Sequence, residues 1–213
     1  MRSELVEVLG FLPVGFVAKV CEHIEECDDA HSFEHVWDVV SEANRLSNGD
    51  REAIIAAFMH DIGCAVDRDR HHEISRQMAL GIITYFGIEC QLAVVLDAIL
   101  EHRSSWKGYY STEVSEWVAA ADRGVPDAGK HLERSYWYAR SKLGKLHCEA
   151  VKHAYHHIRE KFLEQDPQVP DWYLVLYREE WAEMRRVLEA EKVSDTARRM
   201  KKFINQEAVI KAA

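Results

Sequence analysis

Between Phe33 and Asp122 the apolar residues return every three or four positions, in short segments closed by polar stops, and this spacing predicts packed helices rather than a sheet. Phe33, Val36, Trp37, Val40 and Ala43 make the first stripe, behind Ser32 as N-cap and ahead of the stop Asn48-Gly49, which predicts a helix over 33–47. Asp50 caps a second helix, whose stripe Ala53, Ile54, Ala57 and Phe58 runs to His60 and Asp61. A third is predicted over 73–86, with Ile74, Met78, Ile82 and Tyr85 inward and Gly87 ending it. A fourth spans 90–102, a loop covers 104–111, and a fifth carries Val114, Trp117, Val118 and Ala121 to its end at Asp122. With 10 Gly and 4 Pro in 213 residues, the chain lacks the punctuation that a sandwich or barrel needs, so the fold class expected is all-α, a helical bundle.

Beyond Pro126 the helices become longer and richer in charged and aromatic residues. They are predicted over 131–163 and 172–192, on either side of the breaker Asp166-Pro-Gln-Val-Pro170. The expected organisation is a helical core over 1–127 and a helical extension over 128–213, packed on the core or on a partner chain. Tyr177, Trp181, Met184 and Leu188 form the stripe that would do the packing, which leaves a homo-oligomer open. His147, His153, His156 and His157 have helical spacing but no acidic companion, and read as a polar helix face.

The 27 basic and 36 acidic residues leave a net charge of −9, which disfavours duplex nucleic acid and anionic membrane as partners. A small phosphorylated substrate held through a metal is compatible with that charge. Five scattered cysteines without a CxxC pair point to neither a disulfide framework nor a zinc finger, and a reducing cytoplasm is the compartment expected. The opening MRSELVEVLG has no signal-peptide core, and no apolar run is long enough to span a bilayer.

Histidine and aspartate recur at the ends of the predicted helices. His31-Ser-Phe-Glu-His35 opens the first, His60-Asp61-Ile62-Gly63 ends the second, His71-His72 opens the third, His102 ends the fourth and Asp122 the fifth. Imidazole and carboxylate together suit Fe, Mn, Zn, Co or Ni better than Mg or Ca. Adjacent side chains on a helix diverge by about 100°. His60 and Asp61 therefore reach one ion only if the helix end points at it, or two if Asp61 bridges.

This ordered set resembles the HD superfamily of metal-dependent phosphohydrolases, which place a His, then a His-Asp doublet, then a later Asp on a helical bundle. The resemblance covers Ala30 to Pro126. It implies that His35, His60, Asp61 and Asp122 hold one divalent ion, and that His71, or its neighbour His72, joins His102 around a second. Asp61 and His60 would form the catalytic centre of a phosphomonoesterase or phosphodiesterase. The substrate implied is a nucleotide or similar small phosphorylated metabolite, attacked by a metal-activated hydroxide. Arg103, Lys107, Arg123 and Arg68 lie beside these positions and would bind the phosphate, with Arg70 a further candidate. His31, one turn before His35, would support or cap rather than ligate.

Two departures limit the resemblance. The HD-GYP cyclic-dinucleotide phosphodiesterases follow the HDIG run with Lys where this chain has Cys64, and their later signature survives only faintly in Glu101-His102-Arg103 and Lys107-Gly108-Tyr109-Tyr110. Cyclic-dinucleotide specificity is therefore not implied. Two other readings fit the same residues: a diiron oxygenase of the same superfamily, and a non-catalytic binding module that keeps its metal for stability.

Overall fold

The computed structural model describes residues 7–27, 31–164 and 169–210, with side chains to residue 202. Among the described residues there are eleven α-helices and no strand, so the fold is all-α. The chain divides into two compact units, Met1–Gly124 with Gln168–Tyr173, and Val125–Pro167 with Leu174–Ala213.

Six helices build the first unit: α1 (Val14–Glu25), α2 (Phe33–Leu46), α3 (Arg51–Met59), α4 (His71–Phe86), α5 (Leu92–Glu101) and α6 (Glu113–Arg123). The shortest of them is central. Every residue from Ala53 to Met59 is buried, so α3 is apolar all round and packs against α2, α5 and α6. Its start is fixed locally, because the Asp50 carboxylate accepts from the Ala53 amide at 2.9 Å, an N-cap. Ahead of it, Asn48 and Gly49 at φ 53° and 86° turn the chain out of α2. An enclosed helix must end in the interior, and this one delivers His60 and Asp61 there, 0 % and 3 % exposed.

The inward face of α4 differs from the one its large apolar residues predict. His71, Ser75, Ala79 and Ile83 are buried, Ile74, Met78 and Ile82 flank them half-buried, and Tyr85 is 84 % exposed. Small residues at 75 and 79 allow close approach to the core, and the bulky ones cover the seam from its edges.

The second unit contains α7 (Ala128–Ser141), α8 (His147–Arg159) continued by a π-helical turn over Glu160–Glu164, α10 (Arg178–Ala190) and α11 (Val193–Ile210). The short α9 (Asp171–Leu176) spans the division between units. The continuous helix predicted over 131–163 is broken at Gly144, which takes φ 61°. The segment predicted over 172–192 likewise divides into α9 and α10. Met184 and Leu188 are buried in the second unit's own core, with Trp181 packed against it and Tyr177 7 % exposed. Of the expected breaker, residues 166–168 lie outside the described residues, while Pro170 ends the loop that leads into α9. Among the described residues no helix is long and apolar enough to cross a membrane.

Candidate metal centre

Five helices of the first unit present a His or Asp to one point. His35 stands in the first turn of α2 and His71 at the start of α4, while His60 and His102 are the C-caps of α3 and α5 and Asp122 sits in the last turn of α6. Helix C-termini carry partial negative charge and unpaired carbonyls, so the three that meet here favour a cation between them.

Those carbonyls also orient the imidazoles. His60 Nδ1 lies 2.7 Å from the Ala57 carbonyl and His102 Nδ1 2.6 Å from that of Ile99, each in the last turn of the preceding helix. His71 Nδ1 makes the equivalent contact, 2.7 Å from the Arg68 carbonyl. A carbonyl only accepts, so each Nδ1 carries a proton and, in the neutral ring, each Nε2 presents its lone pair to the centre.

Asp61 divides the cluster into two sets. Its Oδ2 lies 3.0 Å from His60 Nε2 and 3.4 Å from His35 Nε2, and His35 Nε2 is in turn 3.2 Å from Asp122 Oδ1. Its Oδ1 lies 3.2 Å from His71 Nε2 and 3.6 Å from His102 Nε2. Of the adjacent pair, His71 therefore faces Asp61, whereas His72 holds an enclosed Nδ1 without a hydrogen-bond partner. The Nε2 atoms of His71 and His102 are 3.2 Å apart, and with both Nδ1 atoms protonated two lone pairs confront each other. Such a contact needs a shared proton or a cation, and this nitrogen-rich set with one shared carboxylate fits a borderline divalent ion.

The charges follow from this packing. Burial opposes ionisation of Asp61, but His60, His102 and His35 hold its carboxyl well below the usual range. Asp122 is held down in the same way, with His35 first among the causes that overcome its burial. Burial also opposes the His60 cation, yet Asp61 and Asp122 outweigh it and push His60 up to about 9. His71 goes the other way, to about 4, because burial and the neighbouring His102 prevail over Asp61.

At pH 7 the ion-free centre therefore carries a proton on His60 that a cation must displace. Divalent-ion affinity should rise about tenfold per pH unit as the pH climbs from neutrality toward 9, with one proton released per binding event. Calorimetric titrations in buffers of different ionisation enthalpy would count that proton, and a pH-independent affinity would contradict it. The raised value also stabilises the ion-free fold fully below about pH 6.5, and this contribution is lost as the pH rises through about 9.

Gly63 holds α3 and α4 together at this point. A Cβ there would lie 2.7 Å from the Ser75 amide nitrogen, 2.8 Å from the His71 carbonyl oxygen and 2.9 Å from Ile74 Cβ. The Gly63 amide itself donates to Ser75 Oγ at 2.9 Å. We predict that Gly63→Ala costs about 1–3 kcal/mol in urea unfolding, as overpacking does. Divalent-ion affinity should fall with it, because the start of α4 carries His71. A variant as stable as the parent would show that the contact is not tight.

The proposed cationic groups are less uniformly placed. Arg68 Nη1 is 3.4 Å from His31 Nδ1, and His31 Nε2 lies 4.0 Å from Asp61 Oδ2. Arg103 donates to the Asp69 carbonyl, tying the loop after α5 to the loop before α4. Lys107 stands exposed on the former loop. Arg123 is half-buried, its Nη2 enclosed without a hydrogen-bond partner.

Two neighbours escaped the sequence reading. Glu101, 6 % exposed, accepts from the Ser111 amide and hydroxyl at 2.9 and 3.1 Å, closing the loop that follows His102. Cys64, 8 % exposed, brings Sγ within 4.8 Å of ligand atoms of Asp61 and His31. Adjacency to His102 and to the HDIG run was the available signal, and it does not reveal which way a side chain points.

Compared with known proteins, residues 32–203 match the family model described as HD domain. The match continues well past Asp122, further than the resemblance traced over 30–126. No curated protein and no solved structure matches the chain.

Proposed function

Because the chain belongs to the HD superfamily of metal-dependent phosphohydrolases, we propose that it hydrolyses a phosphate ester of a nucleotide or a similar small phosphorylated metabolite at the cluster around Asp61. His35, His60, Asp61 and Asp122 would hold one divalent ion, and His71, His102 and the other oxygen of Asp61 a second. The observation that carries this reading is the division of Asp61, with Oδ2 toward His60 and His35 and Oδ1 toward His71 and His102.

A divalent ion in this centre supplies Lewis acidity, polarising a phosphoryl oxygen and bringing the pKa of water near neutrality. The chain's own groups do the rest. Asp61 and Asp122 remain ionised across the physiological range and so remain ligands. His71 is neutral at pH 7 and meets an ion without losing a proton. Arg68, Arg103 and Arg123 would receive the phosphate oxygens through paired N–H donors, with Lys107 reaching in from its loop.

The test is to incubate the purified protein with manganese and a library of nucleotides and phosphorylated metabolites, reading products by mass spectrometry. Cleavage of a phosphate ester is the expected result, and no product from any member would count against the reading. The five imidazoles around one shared carboxylate favour a second reading, a diiron oxygenase. Substrate-dependent oxygen uptake by iron-loaded protein, without phosphate release, would select it.

A further inference from the structure

Beside the two donor sets lies a third group with different chemistry. His31, Asp61 and Cys64 bring an imidazole nitrogen, a carboxylate oxygen and a thiol sulfur within 4.8 Å of one another. Zinc bonds to these atoms are about 2.0–2.3 Å long, so donors around one ion are separated by at most about twice that. The trio lies close to that range. It brings sulfur beside the imidazole and carboxylate donors of the other sets.

We propose that His31, Asp61 and Cys64 form a thiolate-bearing position for soft divalent ions such as zinc or cadmium, and that occupation of it draws Asp61 away from the sets it otherwise joins. The proposal rests on the reading of Asp61 as a cation ligand. Sulfur gives the position its selectivity, because thiolate favours softer ions, whereas imidazole and carboxylate alone also suit harder ions such as manganese and iron. The carboxylate gives it its consequence, since an oxygen of Asp61 turned toward Cys64 is lost to His60 or His71. Zinc in excess would then oppose the working ion from a neighbouring place, in addition to any competition for its nitrogens.

Arg68 opposes this binding. Its Nη1 lies 3.4 Å from His31 Nδ1, and a guanidinium only donates, so the contact leaves the His31 proton on Nε2, the nitrogen that faces Asp61. An ion takes Nε2 only in the other tautomer, with Nδ1 protonated and Arg68 moved off. His31 thus differs from His60, His71 and His102, whose Nδ1 atoms meet carbonyls. Removing the guanidinium should strengthen soft-ion binding, an effect that incidental ligation by a surface thiol would not show.

Cobalt(II) is the probe, added to the full-length protein. Thiolate ligation produces a near-ultraviolet charge-transfer band, while imidazole and carboxylate ligation produces only visible d–d absorption. The wild-type protein should show both. Cys64→Ser should lose the near-ultraviolet band and keep the visible one, and Arg68→Ala should reach the band at lower cobalt concentration. Cys27→Ser should leave the band intact, because Cys27 directs its Sγ to the main-chain carbonyl of Asp61, at 3.6 Å. Visible absorption without the near-ultraviolet band in the wild type, or a band that survives Cys64→Ser, overturns this proposal alone. A protein that binds no cobalt overturns it together with the reading of Asp61.

Discussion

Asp61→Asn should remove metal-dependent turnover and, with it, binding of more than one divalent ion per chain. The amide keeps the shape of the carboxylate but offers one acceptor oxygen in place of two, and no charge. In the parent, one oxygen serves His60 and His35 and the other His71 and His102. The substitution therefore reaches both sets at once. The loss of activity should exceed the roughly 10–100-fold that follows removal of a hydrogen-bond partner behind a metal ligand, because a ligand itself is lost. Elemental analysis of the loaded variant should find at most one ion per chain. The variant also takes away the foremost charge that raises His60, so proton release on ion binding at pH 7 should shrink. Turnover within tenfold of wild type would place the chemistry elsewhere.

Stripping divalent ions is the second large perturbation. An ion that binds only the native state stabilises it by about 4 kcal/mol at a thousand times its dissociation constant. In a chain of this size 1 kcal/mol shifts the midpoint by roughly 2–4 °C, so the chelated protein should melt about 8–16 °C lower than the saturated one. Buried like-facing imidazoles are the reason to expect the upper part of that range. Without an ion the lone pairs of His71 and His102 are left 3.2 Å apart. Scanning calorimetry with and without chelator is the measurement. A midpoint unmoved by saturating manganese, cobalt, zinc, iron and nickel would remove the basis for a metal centre.

The all-α architecture and five of the helices in the first unit were legible because most had a period, a cap or a stop that acts locally. Asp50 caps α3 and Gly87 ends α4 in the left-handed conformation, while the stripe of α6 runs to the predicted end at Asp122, one residue short of its last turn's close at Arg123. The order of His and Asp residues was equally visible, since they occupy helix ends that periodicity locates. What was hidden depended on packing partners. Tyr85 fits the apolar period of α4 yet faces outward, because the contact face runs through His71, Ser75, Ala79 and Ile83. Gly144 sits within a charged stretch whose helical period continues on both sides, so its break gave little sign in the pattern. The choice between His71 and His72 rests on which ring the Arg68 carbonyl orients, and Cys64 entered only as the residue that was not lysine.

Residues 169–173 fold with the first unit although they follow about half of the second in sequence. There Tyr173, 1 % exposed, donates its hydroxyl to the Gly124 carbonyl at 2.7 Å, and Trp172 Nε1 donates to the Glu116 carboxylate. The unit that holds the metal-binding candidates is thus sewn shut by a stitch from downstream. A ribosome that has just released Asp122 has supplied every proposed ligand but not that stitch, so during synthesis the donors are all present some fifty residues before the last segment of their unit arrives.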